Sequence, residues 1–249
     1  MTTEFLFLMA TGFLAQIVDG ALGMAFGVIT TTTMLSMGVP PALASATVHT
    51  AQIATTGASG LSHLYYRNID KRLLVTLGAA GVLGGVLGAY VLSNVEGATI
   101  RPFVAAYLFL MGVLILLKAV RWNRPRRPLR GRRATGGLGL VGGFLDAVGG
   151  GGWGPIVTST LIGSGHAPRI AIGSVNAAEF FVTVAISAAF FAEIGTAHWS
   201  YLLALVIGGM ASAPFAGYLV RHIPPRPLMV MVGVLVCGLS LLVLVQSLG

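Results

Sequence analysis

Long stretches without a single Lys, Arg, Asp or Glu constrain the fold of this chain more than any other feature. They cover residues 73–95, 102–117, 170–178, 180–192, 194–220 and 227–249. Several reach the roughly 20 residues that an α-helix needs to cross a hydrocarbon core of about 30 Å. Only 9% of the chain is charged, whereas a typical soluble domain carries about 25%. The sequence therefore predicts an all-α, polytopic membrane protein. Because the N-terminus leads directly into further apolar sequence, we expect no cleaved signal peptide.

The net charge of +8 is concentrated in one place, because eight of the fifteen basic residues lie between Lys118 and Arg133. Pro125, Pro128 and Gly131 disfavour a helix there. Between two apolar stretches, such a cluster is typical of a cytoplasmic loop that obeys the positive-inside rule and contacts anionic lipid. We therefore expect the cytoplasmic membrane as the location, membrane lipid as a partner, and no nucleic-acid partner.

The two sides of this loop are copies of one design. A shift of 127 residues aligns them without gaps and pairs Asp19 with Asp146, Gly23 with Gly150, Gly27 with Gly154, Thr31 with Thr158 and Pro41 with Pro168. Such a repeat indicates duplicated architecture. We predict an N-terminal repeat over 1–120, a basic loop over 121–134 and a C-terminal repeat over 135–249. Each repeat is expected to hold a glycine-interrupted segment and three helices, at about 40–64, 72–93 and 101–120, and again at about 168–192, 198–220 and 226–247.

The distribution of charge favours inverted over parallel repeats. Arg67, Lys71 and Arg72 mark the first long connection of the first half as cytoplasmic, whereas its equivalent at 195–200 carries no Lys or Arg. The next connection of the second half carries Arg221 and Arg226. In an inverted arrangement, all these basic residues lie on one side. We predict inversion, as in many secondary transporters, and keep a parallel repeat as the alternative.

The most unusual segment runs from Asp146 to Pro155, with four consecutive glycines before Trp153. A regular helix cannot continue through it cheaply, and in lipid such a break is tolerated where it faces protein or a water-filled cavity. Pro155 suits the first turn of a new helix, whose free N–H groups would attract an anion. The segment 19–27 is its counterpart. The substrate-binding candidates from both breaks are Gly149, Gly150, Gly151, Gly152, Trp153, Gly154, Gly20 and Gly23. The alternative is close helix packing, which we expect for Gly81, Gly84, Gly85 and Gly88.

Polar residues within the apolar stretches complete the candidate site, since ionisable groups there are functional by default. Asp19 and Asp146 each precede a break and either cap its N–H groups or carry a coupling proton. Glu179, which aligns with Gln52, is a further proton-coupling candidate. The remaining substrate-binding candidates are His49, its equivalent Asn176, Gln52 and Thr158.

The paired glycine-rich segments, the run from Gly150 to Pro155, the two halves and the chain length resemble the sulfite exporter TauE/SafE family of membrane transporters. The resemblance covers nearly the whole chain. It implies transport of small anions, notably sulfite, thiosulfate and organosulfonates. The expected partner is therefore a small anionic substrate, and a second copy of the chain is a further candidate. No cofactor, metal or catalytic residue is expected.

Two other functions compete with anion transport. A channel or a cation or metal carrier requires clustered acids or His, Cys and Met ligands, and only Asp19, Asp146 and Glu179 are available for it. The segment 57–60 matches the Gly-x-Ser-Gly pattern of an intramembrane serine protease, with His63 or His49 as the base. We consider the protease the weakest of these alternatives and expect no enzyme.

Overall fold

A computed structural model describes residues 3–120, 131–195, 198–222 and 225–248, and the side chains at 20–21, 213–225 and 248 are left out. All regular elements in these ranges are helical. They are α1 (Thr3–Leu22), α2 (Phe26–Ser36), α3 (Pro41–Tyr65), α4 (Lys71–Ser93), α5 (Gly97–Val120), α6 (Arg132–Gly149), a π-helix (Trp153–Thr158) continued by α7 (Ser159–Gly163), α8 (Pro168–Ile194), α9 (Trp199–His222) and α10 (Pro225–Leu248). Of the basic loop predicted at 121–134, residues 121–130 lie outside the described residues. Its predicted end was wrong, because Arg132 and Arg133 already belong to the first turn of α6.

The predicted all-α membrane fold is confirmed. The bounds of the six long helices agree with the predicted ones to within four residues. The shift of 127 residues also places α1 on α6, and α2 on the π-helix with α7. Within the described part of the chain, four helices are long and apolar enough to cross a membrane, at 71–93, 97–120, 168–194 and 226–247. The helix α3 has the length but carries a buried polar face that includes His49 and Gln52.

The two halves interlock through their helices. The helix α4 packs against α6 of the other half, and its counterpart α9 packs against α1. Glycines make this contact close: a Cβ at Gly84 would lie 1.9 Å from the carbonyl oxygen of Leu140, and one at Gly208 would lie 2.0 Å from that of Met9. The predicted packing role of the glycines in α4 is confirmed, since small residues let helix backbones touch in a membrane.

Equivalent helices meet in antiparallel pairs. On α3, the contacts run backwards along the chain from Gly60 through Gln52 to His49. Their partners on α8 run forwards, from Ala177 through Glu179 to Phe190. The contacts of α5 with α10 also run in opposite directions, from Phe109 near Cys237 to Leu116 near Gly233. The pseudo-two-fold axis that exchanges the halves is therefore perpendicular to these helices and passes between Gln52 and Glu179.

Charged residues separate between the two ends of the helix bundle. One end contains the connection from α3 to α4 and the start of α8, which a hydrogen bond from the Asp70 amide to the Ser174 hydroxyl joins. The start of α6 lines a groove there with Lys71 and Arg72, and the antiparallel contacts of α5 with α10 place the start of α10 at the same end. Its charged residues are Arg67, Asp70, Lys71, Arg72, Lys118, Arg132, Arg133, Arg169 and Arg226. The opposite end, where the Tyr201 hydroxyl donates to Glu4, carries Glu4, Glu96, Arg101 and Glu193. We call the first of these the basic end.

Candidate functional site

Two helix breaks, one from each half, cross at the middle of the molecule. The first break, at residues 23–25, separates α1 from α2, and the second, at residues 150–152, separates α6 from the π-helix. Each break receives a hydrogen bond from the helix that follows the other. The Thr31 hydroxyl donates to the carbonyl of Gly150 at 2.8 Å, and its equivalent, Thr158, donates to the carbonyl of Gly23 at 3.4 Å. The breaks therefore support each other.

Glycine is required where the two backbones touch. A Cβ at Gly27 would lie 2.5 Å from the carbonyl oxygen of Gly150, and one at Gly151 would lie 2.3 Å from the Val28 nitrogen. A Cβ at Gly154 would lie 2.7 Å from the Cα of Met24. Because the atoms in the way belong to backbone, they cannot move aside as a side chain could. The structure thus gives Gly151 and Gly154 a packing role, whatever they do for a substrate.

Aspartates cap the helices that leave the breaks. One carboxyl oxygen of Asp146, Oδ1, accepts the backbone N–H groups of Gly152 at 2.7 Å and Trp153 at 3.0 Å. In the first half, Oδ1 of Asp19 accepts the N–H of Phe26 at 3.3 Å. The N–H groups expected to attract an anion are thus bonded to carboxyl groups in this conformation. Each aspartate occupies the place that a bound anion would take at a helix N-terminus.

The second carboxyl oxygen of Asp146 contacts a buried histidine from the other half. Nε2 of His49 lies 3.2 Å from Oδ2 of Asp146, and both side chains are almost fully buried. Nδ1 of His49 lies 2.8 Å from the carbonyl oxygen of Ser45, one turn earlier on α3. Asp146 therefore bridges the second helix break and α3.

A small cavity of about 10 Å³, lined mainly by buried residues, lies where the breaks, α3 and α8 meet. Its lining residues are Asp19, Ala25, Gly27, Val28, Gln52, Asp146, Gly151, Gly152, Gly154, Pro155 and Glu179. Nε2 of Gln52 donates to Oε1 of Glu179 at 3.4 Å across the pseudo-two-fold axis. Oε1 of Gln52 is buried and has no hydrogen-bond partner among the described residues. The cavity thus holds three carboxyl groups and one unsatisfied amide oxygen, and it is too small for a substrate in this conformation.

The structure brings together seven of the fifteen predicted site residues at this cavity. They are Asp19, Gln52, Asp146, Gly151, Gly152, Gly154 and Glu179. Seven others are not among its lining residues: Gly23, His49, Gly149, Gly150, Trp153, Thr158 and Asn176. The surroundings of Gly20 lie outside what the structure describes. Of those seven, Trp153 is fully buried against Gly81 and Gly142, and its indole N–H donates to the carbonyl of Val175 at 3.2 Å. Asn176 donates to the Ser59 hydroxyl at 2.9 Å.

Two residues at the breaks were absent from the sequence prediction. The Tyr107 hydroxyl on α5 donates to the carbonyl of Gly151 at 3.2 Å, and its ring fills the space beside Gly149 and Gly152. Nothing in the apolar sequence around Tyr107 distinguishes it. Ala25 adopts φ +108°, a left-handed conformation that residues other than glycine rarely adopt. Only the expected break in the first half pointed to that position.

A larger cavity lies elsewhere, at the basic end. It measures about 770 Å³, and Lys71, Arg72, Arg132 and His166 contribute its positive or titratable groups. It lies between the starts of α4 and α6 and is far more spacious than the cavity at the breaks. It is separate from the breaks, since none of its lining residues belongs to the cavity between them.

The arrangements required by the competing functions differ from what is present. Ser59 is bonded to Asn176, while His49 contacts Asp146 and His63 contacts Asn68. No hydrogen bond in the described residues therefore joins Ser59 to a histidine. The same part of the chain contains no group of three His, Cys, Asp or Glu side chains arranged to hold a metal ion.

Comparison with known proteins gives a consistent result. The family model described as sulfite exporter TauE/SafE matches residues 8–243. The curated protein named "Probable membrane transporter protein YtnM", from Bacillus subtilis (strain 168), is 38% identical over 245 residues, which cover 95% of this chain and 80% of that protein. No solved structure matches the chain.

Proposed function

Because the chain belongs to the sulfite exporter TauE/SafE family and is thereby a membrane transporter, we propose that it is a secondary transporter that moves a small anion across the cytoplasmic membrane. Sulfite, thiosulfate and organosulfonates are the proposed substrates. The observation that carries the proposal is the crossing of two capped helix breaks at a small cavity between pseudo-symmetric halves. Transporters of several folds place their substrates at such broken helices near the middle of the membrane.

The small cavity suits one step of an alternating-access cycle. A site about 10 Å³ in volume must open before a substrate enters. The interlocked halves provide the means, because a small rotation of one set of helices about the Gln52–Glu179 contact would expose the cavity to one side and then to the other. The glycine contacts of α4 with α6 and of α1 with α9 keep each pair moving as one body.

An anion cannot bind beside ionised Asp19, Asp146 and Glu179 without a compensating change. Two like charges 4 Å apart repel by about 4 kcal/mol at an effective dielectric constant of about 20. That repulsion weakens binding by about a thousandfold. The substrate must therefore replace the carboxyl groups at the N–H groups of Gly152 and Trp153 while these acids move away or hold protons. Anion binding is consequently expected to be linked to protons.

The charge at the two ends orients the protein in this proposal. The basic end faces the cytoplasm under the positive-inside rule, where anionic lipid surrounds it. Its groove with Lys71, Arg72 and Arg132 raises the local concentration of anions, as a cleft lined with charges of one sign does. The inverted repeat supports the same orientation, since both halves then place their basic connections on this side.

Labelling of single cysteines tests this orientation in a Cys237→Ser background. Tyr66→Cys and Arg226→Cys lie at the basic end, one in each half, and Glu96→Cys and Trp199→Cys lie at the opposite end. Inverted repeats predict that an impermeant thiol reagent applied from outside labels only residues 96 and 199. Labelling of residue 226 from outside would support the parallel arrangement.

Flux measurements in proteoliposomes test the transport reaction. Purified full-length protein should exchange radiolabelled sulfite or thiosulfate, whereas liposomes without protein should not. Unlabelled sulfonates and small carboxylates added outside rank the substrates by competition. Failure of every anion to exchange or compete would reject the proposed substrate class.

Three acidic residues line the cavity, so a carrier of small cations is the second candidate, although the described residues contain no three such groups arranged to hold a metal ion. Carboxylates are the usual ligands of hard cations. In that case, transport would depend on the cation supplied and not on the anion. Replacing sulfite by chloride at a constant sodium or potassium concentration distinguishes the two candidates.

A further inference from the structure

The hydrogen bonds around His49 determine which of its ring nitrogens carries hydrogen. Nδ1 lies 2.8 Å from the carbonyl oxygen of Ser45 and 3.2 Å from the Ser45 hydroxyl. A carbonyl oxygen can only accept a hydrogen bond. The single hydrogen of the Ser45 hydroxyl is donated to the carbonyl of Ala147 at 2.6 Å, so this hydroxyl can also only accept from the ring. Both neighbours of Nδ1 are therefore acceptors, and Nδ1 must be the donor.

The contact on the other side of the ring then requires a second hydrogen. Nε2 of His49 lies 3.2 Å from Oδ2 of Asp146. The other oxygen of Asp146 already accepts two backbone N–H groups. If neither Nε2 nor Oδ2 carried a hydrogen, two acceptors would face each other in a buried site with a net negative charge. Such an arrangement is strongly unfavourable.

We infer that His49 and Asp146 together bind one exchangeable proton in this closed conformation and that this pair is the proton-coupling site of the transporter. The inference rests on the proposed function for its role in transport, but the proton count does not. The count is the same whether the proton resides on Nε2, as imidazolium with carboxylate, or on Oδ2, as neutral imidazole with carboxylic acid. In both forms the pair has no net charge.

The position of Asp146 connects this proton to the helix break. Loss of the proton makes the contact with His49 repulsive and leaves an unpaired buried charge. Relief comes when the carboxylate leaves His49, and this movement also withdraws it from the N–H groups of Gly152 and Trp153. Those N–H groups are the ones that the proposed anion requires. Proton release and the opening of the anion site are therefore expected to occur together.

Other titratable groups surround the pair on every side that packs against it. Asp19 on α1, Tyr107 on α5 and Glu179 on α8 all lie within electrostatic range of Asp146. Glu179 contacts an amide, Gln52, which cannot exchange a proton with it. Within the described part of the chain, the carboxyl group of Asp19 accepts a hydrogen bond only from the Phe26 N–H. Among these groups, as far as the structure describes them, only His49 and Asp146 contact each other directly.

The pseudo-symmetric position lacks the pair, which offers a matched substitution. The equivalent of His49 is Asn176, which bonds to Ser59 instead of an aspartate. His49→Asn therefore copies the second half, and His49→Gln is a longer alternative that still reaches Asp146. His198→Asn is a control far from the breaks, where the ring stacks on Tyr201.

Steady-state accumulation in proteoliposomes measures the coupling. With the membrane potential held at zero, coupling to one proton changes the accumulation ratio of sulfite about tenfold for each unit of pH gradient. This ratio depends on stoichiometry and not on rate, so a slow variant still reports it.

Wild type and His198→Asn should show the tenfold response, and His49→Asn and His49→Gln should show none. Glu179→Gln should retain it at whatever rate it transports. A wild-type response in either His49 variant would overturn the inference, and so would loss of the response in Glu179→Gln alone.

Nitrogen NMR of ring-labelled histidine tests the proton count without any transport. The chain has five histidines, and the signal that disappears in His49→Asn belongs to His49. Nδ1 should be protonated, and the Nε2 signal should show a hydrogen-bonded proton that is lost in Asp146→Asn but not in Asp19→Asn. A His49 ring protonated only at Nε2 would overturn the count. If wild type transported no anion while the NMR result held, the proposed function would fail and the proton site would remain.

Discussion

The two helix breaks share one scaffold but differ in their chemistry. Both have a left-handed glycine, Gly23 at φ +64° and Gly150 at φ +65°, and both receive a threonine hydroxyl from the opposite half. The second break, however, has a carboxyl group with two N–H bonds and a histidine partner, whereas the first has one longer N–H bond. The two halves thus share one kind of break, and the difference between His49 and its equivalent Asn176 gives the titratable pair to the second break alone among the described residues.

The helix that follows each break differs as well. The first break leads into a regular α-helix, α2, whereas the second leads into a π-helix over Trp153–Thr158. Single-turn π segments are rare and often occur at functional sites. The amino group of Lys118 contacts the carbonyl of Pro155 and the Ser159 hydroxyl, so a cation satisfies a backbone acceptor in this segment. We expect the second break to be the part of the hinge that changes during transport.

The largest expected effect comes from filling the space where the breaks cross. A side chain at Gly151 would enter the backbone of Gly27 and Val28, so Gly151→Val should lose most of its folded, monodisperse protein. Overpacking a core commonly costs about 1–3 kcal/mol, and the obstacle here is backbone that cannot rotate away. Gly238→Ala is the matched control, because it places a Cβ in open space on α10. Size-exclusion profiles and thermal unfolding in detergent measure both. Stable Gly151→Val protein with normal anion binding would show that the breaks are not in tight contact.

Sequence reasoning predicted the helices and the repeat because both depend on local composition. Uncharged stretches indicate the helices that are long enough to span a membrane. The repeat can be recognised because its two copies still share residues at equivalent positions, such as Asp19 with Asp146 and Gly27 with Gly154. It also selected the acids at the cavity, since Asp19, Asp146 and Glu179 interrupt apolar sequence where a charge is costly.

The contacts between the halves could not be predicted in this way. His49 was expected to face the substrate, but its partner is Asp146, ninety-seven positions away in the chain. The sequence of α3 indicates that His49 points inward, but it does not indicate which residue of α6 the side chain contacts. The positions of the Trp153 and Tyr107 rings could not be predicted for the same reason, because these rings fill gaps beside glycines of other elements.

Removing the charge of each capping aspartate compares the two breaks directly. Hydrogen bonds to charged groups contribute about 1.5–3 kcal/mol and neutral ones about 0.5–1.5 kcal/mol. Asp146→Asn weakens two such bonds and the contact with His49, whereas Asp19→Asn weakens one bond of 3.3 Å. We expect Asp146→Asn to cost about 2 kcal/mol of stability and to abolish the response of sulfite accumulation to a pH gradient. Asp19→Asn should cost less than about 1 kcal/mol. Equal losses in the two variants would show that the breaks are chemically equivalent.

The reciprocal threonine bonds provide a smaller and purely structural comparison. Thr31→Val and Thr158→Val each replace a hydroxyl by a methyl group and leave a break carbonyl without its donor. A typical hydrogen bond contributes about 1 kcal/mol. Because the Thr31 bond is shorter, at 2.8 Å against 3.4 Å, Thr31→Val should be the more destabilising variant. Thermal unfolding of the two proteins under identical detergent conditions measures the difference, and the reverse order would contradict the geometry.

The smallest effect is expected where the first break carries strain that the second avoids. Ala25 adopts φ +108°, while its equivalent, Gly152, adopts an extended φ of −177°. A left-handed conformation costs an L-residue roughly 1–2 kcal/mol, and glycine adopts it freely. Ala25→Gly removes this strain but also a buried methyl group, whose burial contributes about 0.8 kcal/mol, and it adds flexibility to the unfolded chain. These terms nearly cancel, so we expect a change in stability within about 1 kcal/mol of zero.

Ala25→Val keeps the strain and adds a branched side chain at a left-handed position, so it should be clearly destabilising. Comparison of the melting temperatures of Ala25→Gly, Ala25→Val and wild type separates strain from packing. If valine were tolerated as well as glycine, residue 25 could not adopt a left-handed backbone, and the first break would have a different geometry from the one described.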